Sequence, residues 1–193
     1  MAIPETMKAW IKTKPELGGF QLIDSTVPKP QPDEVLVKTH STSICGTDIH
    51  IWKWDDWAAD NVPLGTITGH ETCGVVVEIG SEVTTHQIGD KIAVECHLAC
   101  WECDRCDEGN AHICENGEIF GVHTDGAFAP YFTVPAVNAR HLPTNLPLEL
   151  ASIQDPLGNA IHTLTGGPVK DSTIAIHGLG PIGLFAVNAA KAM

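Results

Sequence analysis

The feature that most constrains the fold of this chain is a run of four regularly spaced cysteines. They follow the pattern Cys100-x2-Cys103-x2-Cys106-x7-Cys114, in a segment otherwise made of loop-forming residues. Four thiolates this close together can complete a tetrahedral site around Zn²⁺, and four protein ligands leave no position open for a substrate. The spacing therefore predicts a structural zinc site that stabilises the loop segment containing these cysteines. Spacing alone leaves an iron–sulfur cluster open as an alternative.

Composition narrows the class of protein. The chain has 193 residues and a formal net charge of −13, an acidic excess that repels phosphate backbones and predicts no nucleic-acid partner. No apolar run reaches the roughly 18 residues of a membrane-spanning helix, and the first residues lack the features of a signal peptide. We therefore expect a cytoplasmic protein without a membrane partner. The seven cysteines are an odd number in a chain without an export signal, so we expect no disulfide framework.

Short apolar segments separated by turns fill most of the chain. They fall at 7–40, 74–83, 87–96 and 126–142, with prolines and glycines between them. Many short strands at close spacing indicate an antiparallel barrel or sandwich. The predicted fold class is therefore mainly β.

The pattern changes after residue 148. Apolar residues recur at helical spacing over 148–164, where we expect Pro156 to break or kink the helix. A predicted strand over 172–177 is then followed by a glycine turn and a helix-forming segment. Strand, glycine turn and helix in this order open a βαβ unit that can bind the pyrophosphate of a dinucleotide. The expected cofactor-binding residues are Gly178, Gly180, Pro181, Ile182 and Gly183.

A second candidate metal site is dispersed along the chain. Cys45 lies in one short motif, and His70 and Glu71 lie together in another. Each motif alone is a weak signal, because a lone buried cysteine is usually part of a core and a His-Glu pair usually lies on a surface. Together they supply a thiolate, an imidazole and a carboxylate, a ligand set that suits an open zinc site.

These three motifs, in this order, resemble the zinc-dependent alcohol dehydrogenases of the medium-chain dehydrogenase/reductase family. The segment Gly69-His-Glu-x-x-Gly74-x5-Gly80-x2-Val83 is similar to the zinc signature of that family, and the four cysteines have its spacing. The resemblance covers the whole chain. It implies a GroES-like β-barrel catalytic domain over 1–155. It also implies that 156–193 form a linker helix and the first β-α unit of a truncated Rossmann NAD-binding domain.

The resemblance also implies roles for individual residues. It implies two zinc ions per chain, one catalytic and one structural, and NAD as cofactor, with NADP left open. Thr47 and His50 match the proton relay of the family, and His97 matches a histidine that lines the substrate site. The implied zinc ligands are Cys45, His70, Glu71 and Asp155 for the catalytic ion and Cys100, Cys103, Cys106 and Cys114 for the structural ion.

Within the family, the resemblance is strongest to members that oxidise the 3-hydroxyl of L-threonine and reduce NAD. The segments 44–57, 95–100 and 151–163 carry it. A polyol, butanediol or other secondary alcohol is the alternative substrate, and a zinc module that binds a partner without catalysis is the alternative function. A thiol redox protein using Cys100 and Cys103 is disfavoured, because two more cysteines follow in a loop.

Members of this family continue well beyond the length of this chain. We therefore expect the 193 residues to be an N-terminal fragment that binds zinc but does not turn over. The resemblance further implies a small-molecule substrate and a homo-oligomeric full-length form.

Overall fold

The computed structural model describes residues 2–193, which divide into two compact units. The first unit ends at Ser152, and the second is Ile153–Met193. All nine strands found in the described residues belong to the first unit. They are β1 (Thr6–Lys12), β2 (Phe20–Thr26), β3 (Glu34–Thr42), β4 (Thr72–Ile79), β5 (Lys91–Val94), β6 (His97–Leu98), β7 (Glu118–Ile119), β8 (Tyr131–Pro135) and β9 (Ala139–His141).

A five-stranded antiparallel sheet organises the first unit, in the order β8-β3-β4-β5-β9. Its strands alternate in side-chain direction, so one face buries residues such as Val35 and Val37 of β3 against Phe132 and Val134 of β8. The register between β3 and β4 shifts twice, and such irregularities bend and twist a strand. The sheet is thus the curved core of a barrel, which confirms the mainly β fold class.

A hairpin of β1 and β2 covers a second apolar cluster of this unit. Met7 and Ala9 of β1 are buried with Leu36 and Ile67. The hairpin pairs in regular register from Thr6 with Thr26 to Lys12 with Phe20. Strands were predicted in this part of the chain, and the structure confirms them.

Four α-helices and two short 3-10 helices complete the described part of the first unit. The α-helices are α1 (Gly46–Lys53), α2 (Asp56–Asn61), α3 (Asp104–Asp107) and α4 (Leu148–Ala151). The first two were not predicted. Carboxylates fix where they start, since Asp48 Oδ2 accepts the N–H of Cys45 at 2.8 Å and Asp55 Oδ1 accepts the N–H of Ala58 at 3.1 Å. Between them, Trp54 has a left-handed backbone with φ 56° and ends α1 as its C-cap.

The second unit contains α5 (Gln154–Thr165) and α6 (Pro181–Ala192), which pack through Ala160, Leu164 and Ala186. The prediction that Pro156 breaks or kinks a helix was wrong in position. Pro156 is the third residue of α5, in the first turn, where a helix leaves backbone N–H groups without internal partners. The interruption comes before it, at residues 152–153.

The predicted strand over 172–177 is not formed. Among the described residues this segment has no strand partner, and a strand exists only through the hydrogen bonds of a neighbour. The helix predicted after it is present as α6. The assignment of 153–193 to the start of a Rossmann domain therefore stays a prediction.

None of the helices formed by residues 2–193 has both the length and the apolar character needed to cross a membrane.

Candidate functional site

The four-cysteine lobe lies between β6 and β7, which pair through His97 with Ile119 and close its base. Helix α3 begins directly after Cys103, and backbone turns over 106–117 bring the remaining cysteines back. All four sulfur atoms lie within 4.8 Å of one another. The four cysteines that are regularly spaced in the sequence therefore form a single cluster of free thiols in the structure.

The sulfur–sulfur distances in this lobe fit a tetrahedral metal site. Cys100 to Cys114 is 3.3 Å, Cys103 to Cys106 is 3.6 Å and Cys103 to Cys114 is 3.7 Å. Four sulfurs placed about 2.3 Å from a central Zn²⁺ would be about 3.8 Å apart. A disulfide needs about 2.05 Å, so these contacts are not covalent bonds. The residues present fit a closed four-thiolate site.

The electrostatics of the lobe also favour a cation. The backbone N–H of Glu102 is the main cause that lowers the pKa of Cys100 to about 6. The backbone N–H of Glu115 lowers the pKa of Cys103 in the same way. Burial and the neighbouring thiols instead raise the pKa of Cys106 to about 12. Because a thiol must lose its proton to become a zinc ligand, a bound cation would stabilise the thiolate forms of all four cysteines.

The dispersed residues Cys45, His70 and Glu71 also meet in the structure. β3 and β4 are antiparallel, and Thr42 at the end of β3 pairs with Thr72 at the start of β4. Residues just after β3 therefore face residues just before β4, and the N–H of Ser43 donates to the carbonyl of Glu71 at 2.8 Å. One ligand atom from each of the three side chains lies within 4.8 Å of the others.

This open centre is buried. His70 is 5% exposed and Glu71 is 7% exposed, while Cys45 is half-buried. Burial is the main cause that raises the pKa of the Cys45 thiol. A thiol, an imidazole and a carboxylate supply three ligands that zinc accepts, and they leave a fourth position available. The donor set therefore fits a catalytic rather than a structural metal.

Asp48 is a residue of this centre that the sequence reasoning missed. Its Oδ2 accepts the N–H of Cys45, and its Oδ1 lies 3.9 Å from Nδ1 of His70. Both Oδ1 and that Nδ1 are buried without a hydrogen-bond partner. Metal-ligating histidines usually donate their second ring N–H to a carboxylate, so this pair is placed to orient His70. The signal was the spacing Cys45-x-x-Asp48, which is that of a helix cap.

The residue before His70 must be a glycine for the backbone to take its path beside this centre. The φ of Gly69 is +95°, and a Cβ built on it would lie 2.7 Å from the ring of Phe128. The carbonyl of Gly69 also accepts the N–H of Ala127 at 2.8 Å. Only glycine satisfies both the backbone angle and the close approach, which places His70 directly before β4.

The predicted relay residues Thr47 and His50 lie one turn apart on α1. Oγ1 of Thr47 is 3.7 Å from Sγ of Cys45, which ties the relay to the open centre. Thr47 and His50 line a cleft of about 460 Å³ together with Asp55, Asp56 and Trp57. The structure therefore brings both relay residues to one solvent-facing cleft.

His97 lies in a different cleft of about 310 Å³, lined also by Glu95 and Arg140. Its Nδ1 is 2.6 Å from Oε1 of Glu95, and this hydrogen bond is the main cause that lowers the pKa of Glu95. Asn138 donates to the carbonyls of both Glu95 and His97 at 2.8 Å. The role of His97 at a substrate site stays a prediction.

Asp155 belongs to the second unit, in the first turn of α5. Nδ2 of Asn159 lies 3.4 Å from its Oδ2. Its assignment as a zinc ligand stays a prediction.

The predicted cofactor residues form one turn of the second unit. Gly178 has φ +90°, and a Cβ on Gly183 would lie 1.9 Å from the carbonyl oxygen of Gly178. Gly180 caps α6, and a Cβ there would meet open space. In dinucleotide sites the first such glycine permits a tight turn, the second lets the pyrophosphate approach the backbone, and the third permits close packing of the helix. All five predicted residues line a cavity of about 670 Å³ within this unit.

Comparison with known families decides the classification. The alcohol dehydrogenase GroES-like domain matches residues 31–144, which is more than half of the chain. The chain belongs to this family. The resemblance to zinc-dependent medium-chain dehydrogenases that the motifs indicated is thereby confirmed.

Individual members of the family are similar along almost the whole chain. L-threonine 3-dehydrogenase of Pyrococcus furiosus is 48% identical over 188 residues, which are 97% of this chain and 54% of that protein. A protein described as a zinc-binding dehydrogenase from Sinorhizobium meliloti 1021, bound to NADP, has a TM-score of 0.88 and 34% identity. A protein described as a short chain alcohol dehydrogenase from Escherichia coli CFT073, complexed with NADH, has a TM-score of 0.88 and 31% identity.

Coverage is as informative as identity. The S. meliloti comparison covers 98% of this chain and 54% of the other, and the E. coli comparison covers 97% and 54%. The chain thus spans about half the length of the relatives that it matches.

Proposed function

We propose that this chain supplies the zinc-binding catalytic domain of an NAD-dependent alcohol dehydrogenase that oxidises the 3-hydroxyl of L-threonine. The observation that carries the proposal is the meeting of Cys45, His70 and Glu71 beside Thr47 on α1. The substrate class rests on the 48% identity to an L-threonine 3-dehydrogenase.

Each group of residues has a task in this reaction. Zinc held by Cys45, His70 and Glu71 would act as a Lewis acid that lowers the pKa of the substrate hydroxyl, and NAD would accept the hydride. The hydroxyl of Thr47 can accept one proton while it donates another, because it carries both a donor and acceptor lone pairs. His50, which is 58% exposed, can then pass the proton to water, since imidazole exchanges protons near neutral pH.

The four-cysteine lobe has a different task in the proposal. Four ligands leave no position for a substrate, so a second zinc ion there would stabilise the fold of 98–119 without taking part in the reaction. Clusters of free thiols of this kind suit a reducing compartment such as the cytoplasm. The proposal therefore includes two zinc ions per chain.

The glycine turn of the second unit is proposed to receive the pyrophosphate of the cofactor. Its N–H groups at the start of α6 favour negative charge. The segment 172–177 has no strand partner among the described residues, so the sheet that carries such a turn is not formed here. We therefore expect the 193 residues alone to bind zinc and not to sustain turnover.

The experiment that tests this proposal compares two proteins. NADH formation is followed with L-threonine and with sorbitol, in the 193-residue chain and in the same chain extended by the remaining part of the P. furiosus relative. We expect threonine oxidation by the extended protein, its loss in Thr47→Val, and none by the 193 residues. Preference for sorbitol would contradict the substrate assignment. Turnover by the 193 residues would contradict the division of tasks between the two units.

A further inference from the structure

The side chain of His50 is held by a carboxylate that the proposed relay does not include. Nδ1 of His50 forms a hydrogen bond to Oδ2 of Asp55. An ionised carboxylate can only accept hydrogen bonds, so the hydrogen between these two atoms belongs to Nδ1. Neutral imidazole carries one ring hydrogen, and Nε2 is then the nitrogen without one.

We propose that Asp55 is a positioning residue that fixes His50 in the Nδ1–H tautomer and so makes Nε2 the atom that accepts the proton. The inference rests on the proposed function, because it concerns the relay of that reaction. In the opposite tautomer Nε2 would carry the ring hydrogen and would have no lone pair for a proton relayed through Thr47. In the Nδ1–H tautomer Nε2 accepts that proton, the ring becomes an imidazolium, and Nε2 of the exposed side chain then releases the proton to water. Catalytic histidines commonly have one nitrogen held by a carboxylate for this reason.

Asp55 is fixed in place by a second hydrogen bond. While Oδ2 bonds to His50, Oδ1 accepts the N–H of Ala58 at 3.1 Å and caps α2. A helix cap needs only one carboxylate oxygen, and the other is normally left to water. Here one side chain joins the relay helix α1 to the start of α2. The hydrogen bond to His50 is also the main cause that lowers the pKa of Asp55.

The turn that presents Asp55 is anchored from the β1–β2 hairpin. Trp54, the preceding residue, is in the left-handed conformation, and the ammonium of Lys12 lies 4.7 Å from the centroid of its ring. Lys12 is fully buried and donates to the carbonyls of Glu16 and Gly18 at 2.8 and 2.7 Å. A buried ammonium that faces an aromatic ring and two carbonyls holds that ring firmly.

A further backbone contact connects the same hairpin to α1. The N–H of Gly18 donates to the carbonyl of Trp52 at 2.7 Å, in the last turn of the helix. On the other side, the ring of Trp57 contacts His50 edge-on, with centroids 6.3 Å apart. The imidazole is therefore confined by a ring and a carboxylate that the fold holds in place.

The test uses substitutions that keep the cap of α2 and change only the partner of His50. In Asp55→Asn the side-chain oxygen can still accept from Ala58, but the amide donates to Nδ1 and forces the ring hydrogen to Nε2. In Asp55→Ser the hydroxyl can cap α2, and it is too short to bond His50. Asp56→Asn is the matched control, because it removes the same charge from the next residue of the same cleft.

The tautomer is measured by ¹⁵N NMR of the imidazole nitrogens in the zinc-loaded 193-residue chain, at a pH where His50 is neutral. We expect the Nδ1–H tautomer to dominate by at least about tenfold in the wild type, given the strength of hydrogen bonds to charged groups. We expect the same in Asp56→Asn, a loss of the preference in Asp55→Ser and a reversal in Asp55→Asn. Amide hydrogen exchange of residues 56–61 checks that α2 is retained in each variant.

A wild type dominated by the Nε2–H tautomer would overturn the inference, as would a preference that survives in Asp55→Asn or is lost equally in Asp56→Asn. The measurement needs no substrate and no cofactor. A failure of the proposed function, such as absence of threonine oxidation by the extended protein, would therefore leave this result unchanged and be recognised separately.

Discussion

The four-cysteine lobe and the open centre bring their candidate metal ligands together in opposite ways. The lobe takes all four ligands from one loop of fifteen residues, and its sulfurs are partly exposed. The open centre takes Cys45 from just after β3 and His70 and Glu71 from just before β4, and two of these three residues are buried. One site is made by local spacing and the other by strand pairing.

This difference teaches which parts of the fold each site depends on. A site made within one loop needs little from the rest of the molecule, and a metal bound there would stabilise that loop directly. A site made at the ends of β3 and β4 is positioned by the sheet, so its geometry would not depend on a bound metal. The lobe is thus expected to depend on its metal for structure, and the open centre is expected to depend on the sheet.

The largest expected effect comes from Cys103→Ser, which tests the dependence of the lobe on its metal. We expect the backbone amides of 98–119 to lose most of their protection from hydrogen exchange, because structural zinc sites contribute about 10 kcal/mol or more of folding free energy. The five-stranded sheet should keep its protection. Cys73→Ser, a buried cysteine that contacts Ser41 and the carbonyl of Leu148, is the control and should leave the lobe unchanged. Loss of protection across the sheet as well would show that the lobe is not independent.

The next largest effect is expected from Gly69→Ala, which changes the residue just before His70. This substitution tests how far the open centre depends on close packing of the surrounding fold. The new Cβ would enter the ring of Phe128 and would be strained by φ +95°, so we expect a loss of about 2–5 kcal/mol in the free energy of unfolding. Gly65→Ala is matched, since φ is +100° there but the Cβ meets open space. It should cost only the backbone strain, about 1–3 kcal/mol. Urea unfolding measures both, and equal costs would remove the argument from close packing.

A smaller effect is expected at Asp48, the carboxylate that faces His70. Asp48→Asn keeps an acceptor for the N–H of Cys45 but removes the charge 3.9 Å from Nδ1 of His70. Substitutions of such supporting carboxylates typically lower metal affinity about 10–100-fold. We expect that loss at the open centre only, measured by competition with a chelator. Asp60→Asn, an exposed residue of α2, should change neither site; a loss of metal from the lobe in Asp48→Asn would contradict the separation of the two sites.

How much the sequence could predict follows from the same contrast. The lobe was predictable because all its ligands lie within one short segment. The glycine turn before α6 was predictable for the same reason. The ligands Cys45, His70 and Glu71 were proposed as a set from their residue types, and the family resemblance supported that set. No local spacing could predict it, because their meeting depends on the antiparallel pairing of β3 with β4.

The misses have particular physical causes. Helices α1 and α2 were overlooked because carboxylate caps at Asp48 and Asp55 start them, rather than a long apolar periodicity. Asp48 was missed because its role needs the position of His70, which no local pattern contains. The strand at 172–177 was predicted from its apolar residues, but a strand also needs a neighbour, and none is paired with it among residues 2–193.

The central claim is that this chain holds two independent zinc sites, and native mass spectrometry after zinc loading tests it most directly. The account predicts two zinc ions in the wild type, one in Cys103→Ser, one in Cys45→Ser and none when both are changed. One ion that either single substitution removes would contradict the account, and so would a wild-type chain without zinc.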